Sequence, residues 1–268
     1  MPPNTADLDY LRYLADETAR FAQVLDTASR DAAVPCCPDW NAADLLWHLG
    51  QVQWFWATIV REKLDGEQAE ARKPERPADW PGLRQFYATV SRDLAEALAA
   101  SPPEAAAWTW SDDHTVGFIR RRQAHEALIH RVDAELTAGD RTAMDPPLSA
   151  DGVDEALRIM YSGVPQWGTF TADPGRTMRI QASDTGHSWL VTLGRFTGTD
   201  PSSQRGYDQP EIAVMDEDPG TAAAATITGS AADLDCWLWR RPPEGPIGRS
   251  GDPAVLSGFD AVIAPGIS

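Results

Sequence analysis

Arg120-Arg121-Arg122-Gln123-Ala124-His125-Glu126-Ala127-Leu128-Ile129-His130-Arg131-Val132-Asp133 is the stretch on which the reading of this chain turns. An α-helix advances about 100° per residue, so Glu126 and His130, four apart, share one face one turn from each other. Arg122 lies four before Glu126, and Asp133 three beyond His130. The four form one polar stripe along an otherwise core-forming helix. Two ligands for a single metal ion need this spacing. His125 and His130 are five apart, about 140° from each other, and do not easily share an ion. Geometry therefore selects Glu126 over His125 as the partner of His130.

A third ligand has to come from another helix. In Asp44-Leu45-Leu46-Trp47-His48-Leu49-Gly50, His48 is three after Leu45 and four before Val52, so it points with the apolar stripe towards a bundle interior. Gly50 allows close helix approach. Two histidines and one carboxylate with an open position make a catalytic zinc pattern that also suits Fe2+ or Ni2+. His125 or Asp133 would then orient a ligand. The plainer alternative is that Glu126 and His130 are an ordinary helical pair and His48 a hydrogen-bonded core histidine.

Outward from these motifs the first half reads as helices. Leu8, Leu11, Leu14, Phe21, Val24 and Leu25 give helical spacing over about residues 7–32. Val34-Pro35-Cys36-Cys37-Pro38-Asp39-Trp40 breaks it. A second helix opens at Asn41, with Asp44 three residues on as a capping-box partner. Residues 65–80, charged and holding two prolines, read as a crossover loop. A third helix is expected over 81–100 on Leu83, Phe86, Val90, Leu94 and Leu98, and a fourth over 115–137. Four helices with one long crossover describe a four-helix bundle. Gly139, Asp140, Pro146 and Pro147 mark the boundary, giving domains at 1–145 and 146–268. The second half predicts a helix over 151–162, strands at 177–182, 189–193, 212–214 and 222–227, then helices at 231–240 and 253–263. That is a small, mainly antiparallel α+β domain.

The formal net charge of −17 argues against a phosphate-backbone or anionic-membrane partner. Three cysteines, two of them adjacent, are no disulfide framework. The first residues have neither a basic region nor an apolar run, and no stretch approaches a membrane span, so a cytoplasmic protein is expected, with a monomer favoured. Eleven tryptophans favour broad aromatic packing or a ring-lined pocket.

Three segments carry a resemblance: Val34–Trp40, Ala43-Asp44-Leu45-Leu46-Trp47-His48-Leu49-Gly50 and Arg121 through Glu135, with a weaker match over 227–240 and at Gly251-Asp252. The chain resembles the mycothiol-dependent maleylpyruvate isomerase family, a branch of the DinB-like metalloenzymes of actinobacteria. The resemblance implies a DinB-like bundle followed by a small α+β domain similar to sterol-carrier folds. It implies zinc held by His48, Glu126 and His130, and mycothiol as co-substrate. In such isomerases the thiol adds to a conjugated double bond, the bond rotates, and the thiol leaves from the trans product. In related S-transferases it stays on the electrophile.

Arginines suit substrate carboxylates because their fork is bidentate. The candidates are Arg122 on the metal stripe, and Arg240 and Arg241, which family architecture would bring over the bundle mouth. Helix-end charge compensation is the plain alternative for Arg240 and Arg241. Cys36 and Cys37 are expected to pack in a turn and Cys236 in a core; His114 and His187 are assigned no role. A thiol-independent metal hydrolase and a non-catalytic ligand-binding module are the competing functions.

Overall fold

The computed structural model describes residues 8–165, 167–216 and 222–267. It falls into two compact units, Asp9–Ala143 and a second built chiefly from Met144 onward.

The first unit is helical. Asp9 caps α1 (Tyr10–Thr27) by accepting from the Arg12 backbone N–H. Residue 7, the expected start of this helix, lies outside the described residues. The helix stops at Thr27 rather than near 32, because Ala28 turns extended at ψ 149°. A short bridge between Ala33 and Asn41 then closes the proline-bounded turn. Asn41 opens α2 (Ala42–Glu62) with a complete capping box: its side chain accepts from Ala43 and Asp44 N–H, while Asp44 accepts from Asn41 N–H at 3.0 Å. The crossover is not bare loop. It holds a one-turn helix, α3 (Gly66–Glu70), because Asp65 and Gln68 form a second capping box. In α4 (Trp80–Ala100), Tyr87 is buried and Phe86 half-buried, with Phe86 packing 5.1 Å from Trp47. Thr115 caps α5 (Val116–Ala138), which Gly139 ends in the left-handed region at φ 71°.

Side-chain pairs fix the helix directions. Tyr10 meets His125, Glu17 meets Arg131 and Arg20 meets Glu135, so α1 and α5 run parallel. Trp47 meets Phe86 and Gln53 meets Ser91, so α2 and α4 run parallel. Gln53 also bonds Thr18, back along α1. The bundle therefore runs up, down, down, up. Phe21, Leu25, Leu45, Leu49, Leu83 and Ala134 bring all four long helices into one core.

The second unit opens with α6 (Pro146–Glu155), which begins earlier than expected. Pro146 and Pro147 read as linker, but Asp145 caps the helix and the prolines occupy its first turn, where no N–H is needed. A π-helical turn, Ala156–Met160, extends it. The strands are β1 (Gly168–Ala182), β2 (Ser188–Thr199), β3 (Gly206–Met215), β4 (Ala225–Gly229) and, after α7 (Ala231–Leu238), β5 (Gly248–Gly251); α8 (Pro253–Ile263) follows. The sheet order is β3-β2-β1-β4-β5, with only the β1–β4 pairing parallel. Met178, Ile180, Trp189, Ile227, Leu157, Leu234 and Phe259 share one core between sheet and helices. Among the described residues no helix is long and apolar enough to cross a membrane.

Candidate metal centre

His48, Glu126 and His130 converge inside the first unit. One ligand atom from each lies within 4.8 Å of the others. Glu126 Oε1 is 3.1 Å from His130 Nε2 and 3.5 Å from His48 Nε2. Ligand atoms each about 2.0–2.1 Å from a tetrahedral ion stand roughly 3.3 Å apart, so this spacing suits a divalent metal. The helix spacing supplies Glu126 and His130, and the close α2–α5 approach brings in His48.

Each donor is held. His130 Nδ1 pairs with Asp133 Oδ2 at 3.0 Å, leaving Nε2 to face the carboxylate. Asp133 is fully buried. A carboxylate behind a ligand imidazole fixes its ring and raises its basicity. Arg122 Nη2 donates to Glu126 Oε2 at 2.7 Å, which aims Oε1 at the histidines. The His48 ring lies 4.7 Å from Trp40 and 4.8 Å from His130, centroid to centroid. Its side chain is 36% exposed, against 15% for Glu126 and 8% for His130, so the centre is open on the His48 side.

The electrostatics follow. Burial alone would raise the Glu126 carboxyl, but hydrogen bonds from His130 and His48 and the Arg122 charge hold it well below the usual carboxylate range. Burial would lower His130, but Asp133 and Glu126 outweigh it and push the imidazole up to about 9. Without a metal, then, His130 is a cation at neutral pH, clamped between two carboxylates.

Residues 11–135 match the family model of the mycothiol maleylpyruvate isomerase N-terminal domain, and residues 147–258 match that of the C-terminal domain. The chain belongs to the mycothiol maleylpyruvate isomerase family. Two solved structures share its fold. A mutant of the mycothiol-dependent maleylpyruvate isomerase is 12% identical, with a TM-score of 0.62, covering 94% of this chain and 97% of that one. The unmutated enzyme is 13% identical, with a TM-score of 0.60 and the same coverage. No curated protein sequence matches the chain. The fold class is that of the family: a DinB-like helical region followed by a five-stranded α+β domain.

The remaining candidates fall elsewhere. Arg122 is 3% exposed and engaged with Glu126. Arg240 and Arg241 belong to the second unit, just past α7. Arg240, at φ 60°, donates to Ala264 O, and Arg241 donates to Trp239 O at 2.7 Å. Cys36 and Cys37 are half-buried in the turn, and Cys236 Sγ meets Met144 Sδ at 3.4 Å. Cys37 packs against the bundle core and Cys236 is fully buried. His114 Nδ1 meets Thr109 Oγ1 at 3.3 Å, and His187 lies 6.3 Å from the Trp189 ring. Sequence reasoning passed over Gln123, a polar residue seven before His130 that is 1% exposed. Nothing in the sequence marks it, because its burial shows only in the folded bundle.

If Asp133 orients His130 towards a metal, Asp133→Asn lowers metal affinity by about 10–100-fold while the fold is kept. Competition against a chromophoric chelator measures this. Unchanged affinity would make Asp133 only a structural counter-charge.

Proposed function

We propose that the chain is a zinc-dependent enzyme that activates a low-molecular-weight thiol, mycothiol in this family, for addition to an electrophilic small molecule. It works as an isomerase or an S-transferase. Residues 1–145 are on this reading the metal-binding domain, and His48, Glu126 and His130 hold the ion, with Fe2+ or Ni2+ also compatible with the donor set. The observation that carries the proposal is the convergence of three ligand atoms from two helices within 4.8 Å, with one side open. Family membership supports the thiol.

Zinc bound there would supply the Lewis acidity that strips a thiol of its proton at neutral pH. The residues provide the rest. Asp133 fixes the His130 ring, and Arg122 fixes the Glu126 carboxylate. Arg122 is a candidate holder of substrate carboxylate from its place on the stripe, but its bond to Glu126 favours a positioning role. Arg240 and Arg241 remain the proposed partners of a substrate carboxylate, the group a guanidinium fork suits.

Elemental analysis of the purified chain beside His48→Ala tests this. About one zinc per chain in the parent, lost in the variant, is expected for a three-ligand site. A parent that takes up no metal after incubation with zinc, iron or nickel would sink the proposal. Thiol-independent turnover by a metal-loaded parent would instead favour hydrolysis.

A further inference from the structure

Two of the three candidate ligands are held by charge. Asp133 Oδ2 pairs with His130 Nδ1 at 3.0 Å, and Arg122 Nη2 donates to Glu126 Oε2 at 2.7 Å. His48 is held differently. Its Nε2 faces Glu126 Oε1 at 3.5 Å, and among the described residues nothing hydrogen-bonds its other ring nitrogen. A ligand imidazole ordinarily gives that second N–H to a carboxylate, a carbonyl or water, which sets its orientation. His48 is also the most exposed of the three. What meets its ring is aromatic: Trp40 at 4.7 Å and 45°, and His130 at 4.8 Å and 73°.

The chain places Trp40 there by local means. Asn41 caps α2, so Trp40 is the residue just before the cap. A hydrophobic side chain at that position often packs on the fourth residue of the helix, here Leu45. The Trp40 indole reaches three residues further, to His48, which lies about 60° from Leu45 around the helix. The backbone beneath the indole is tied on both sides. Trp40 N–H donates to Cys37 O at 2.8 Å, and Trp40 O accepts from Val34 N–H at 3.0 Å. The Ala33–Asn41 bridge and the capping box tie down the residue that follows. Trp47, one residue before His48, makes the contrast. It is half-buried like Trp40 and packs on the same bundle core, but its ring goes to Phe86 at 5.1 Å.

We propose that Trp40 is the positioning residue for His48: its indole face takes the place of the charged support that Glu126 and His130 receive, and sets the plane of the imidazole for the ion. This rests on the metal centre proposed above. An imidazole bound to a cation carries part of its charge, and the indole face is the best aromatic partner for a cation. The contact therefore strengthens when metal is held. An aliphatic side chain can fill the turn but offers no such face.

The test titrates the full chain with cobalt(II), read by its visible ligand-field absorption, and measures affinity by competition with a chromophoric chelator. Trp40→Leu is expected to lower affinity about tenfold, the lower end for losing the support behind a ligand, and to alter the ligand-field band. Trp40→Phe keeps a ring face and restores both. Trp47→Leu, which removes a tryptophan from the same core one residue from the ligand, lowers the melting temperature but leaves affinity and band unchanged. Trp40→Met, unbranched and adaptable, replaces Trp40→Leu with the same expectation if that variant does not fold. Parent-like affinity and band in the aliphatic variants would overturn the positioning role and leave the metal centre standing. So would a Trp40→Phe as weak as Trp40→Leu, or a Trp47→Leu weakened equally, since packing alone would then be the cause. A parent that takes up no cobalt would overturn the metal centre and this role together.

Discussion

Glu126→Ala is expected to abolish stoichiometric metal binding and to lower the stability of the metal-free bundle by about 3 kcal/mol, the lower end for removing one partner of a buried ion pair. The carboxylate is the hub of the centre. Oε1 faces both histidines, at 3.1 Å from His130 Nε2 and 3.5 Å from His48 Nε2, while Oε2 takes Arg122 at 2.7 Å. Its loss leaves Arg122, at 3% exposed, without its carboxylate and leaves His130 with Asp133 alone. At about 2–4 °C per kcal/mol for a unit of this size, the bundle's melting temperature falls by roughly 6–12 °C. An apo variant as stable as the apo parent would show that Arg122 finds other compensation.

The pH dependence has a definite sign. Glu126 titrates below its unfolded value, so its contribution is present above the ordinary carboxylate range and is lost as pH falls through the lower folded value. His130 is raised to about 9, so its contribution is complete below its ordinary value near 6.5 and is lost as pH rises from there through about 9. The contribution of this pair to the metal-free parent is therefore largest in mildly acidic solution. Metal binding runs the other way, because a ligand imidazole must be neutral. Affinity should climb with pH up to about 9, with His130 releasing about one proton per metal bound at pH 7. Calorimetric titration in buffers of different ionisation enthalpy counts that proton.

Much of the bundle was legible because its signals are local. The apolar stripe of α2, the Asn41–Asp44 capping box and the four-residue spacing of Glu126 and His130 lie within single helices, and each element formed where its pattern stands. The second unit was less legible. Its strands run well beyond the apolar runs that announced them: β1 spans 15 residues, yet its first half is largely exposed. There Pro174-Gly175 sits where the β1–β2 register shifts, between Ala172 and Thr177, which broke the alternation on which a strand is recognised. All four residues of β5, Gly248–Gly251, are exposed, so no hydrophobic pattern marked it. Within α5 the stripe was readable, but the burial of the other faces was not. Arg131 and Glu135 look like solvated charges in sequence and are 2% and 0% exposed. Glu17 and Arg20, their partners on α1, lie more than a hundred residues away, at separations that helical periodicity does not report.

That hidden network carries the second large effect. Arg131 Nε donates to Glu17 Oε2 at 2.7 Å, and Nη1 donates to Glu135 Oε2 at 2.8 Å and to Thr142 O at 3.2 Å. Glu135 also accepts from Arg20 Nε at 2.7 Å and from Thr142. Burial would lower Arg131, but the Glu17 and Glu135 carboxylates raise it. Burial would raise Glu135, but Thr142, Arg20 and Arg131 lower it. Arg131→Met keeps much of the volume and removes the charge, leaving Glu17, 8% exposed, without its arginine. The expected loss is about 3–5 kcal/mol. Glu135 is cushioned by Arg20 and Thr142, so most of the loss should come from Glu17. Adding Glu17→Leu to Arg131→Met then recovers much of the stability, since replacing a whole buried pair by apolar groups is often neutral or better. Arg131 faces α1, whereas its neighbour His130 faces α2. The double variant should therefore bind metal as the parent does. Recovered stability with retained metal would make the network a clamp joining α1, α5 and the Thr142 segment. A double variant no more stable than Arg131→Met would move the weight to Glu135 instead.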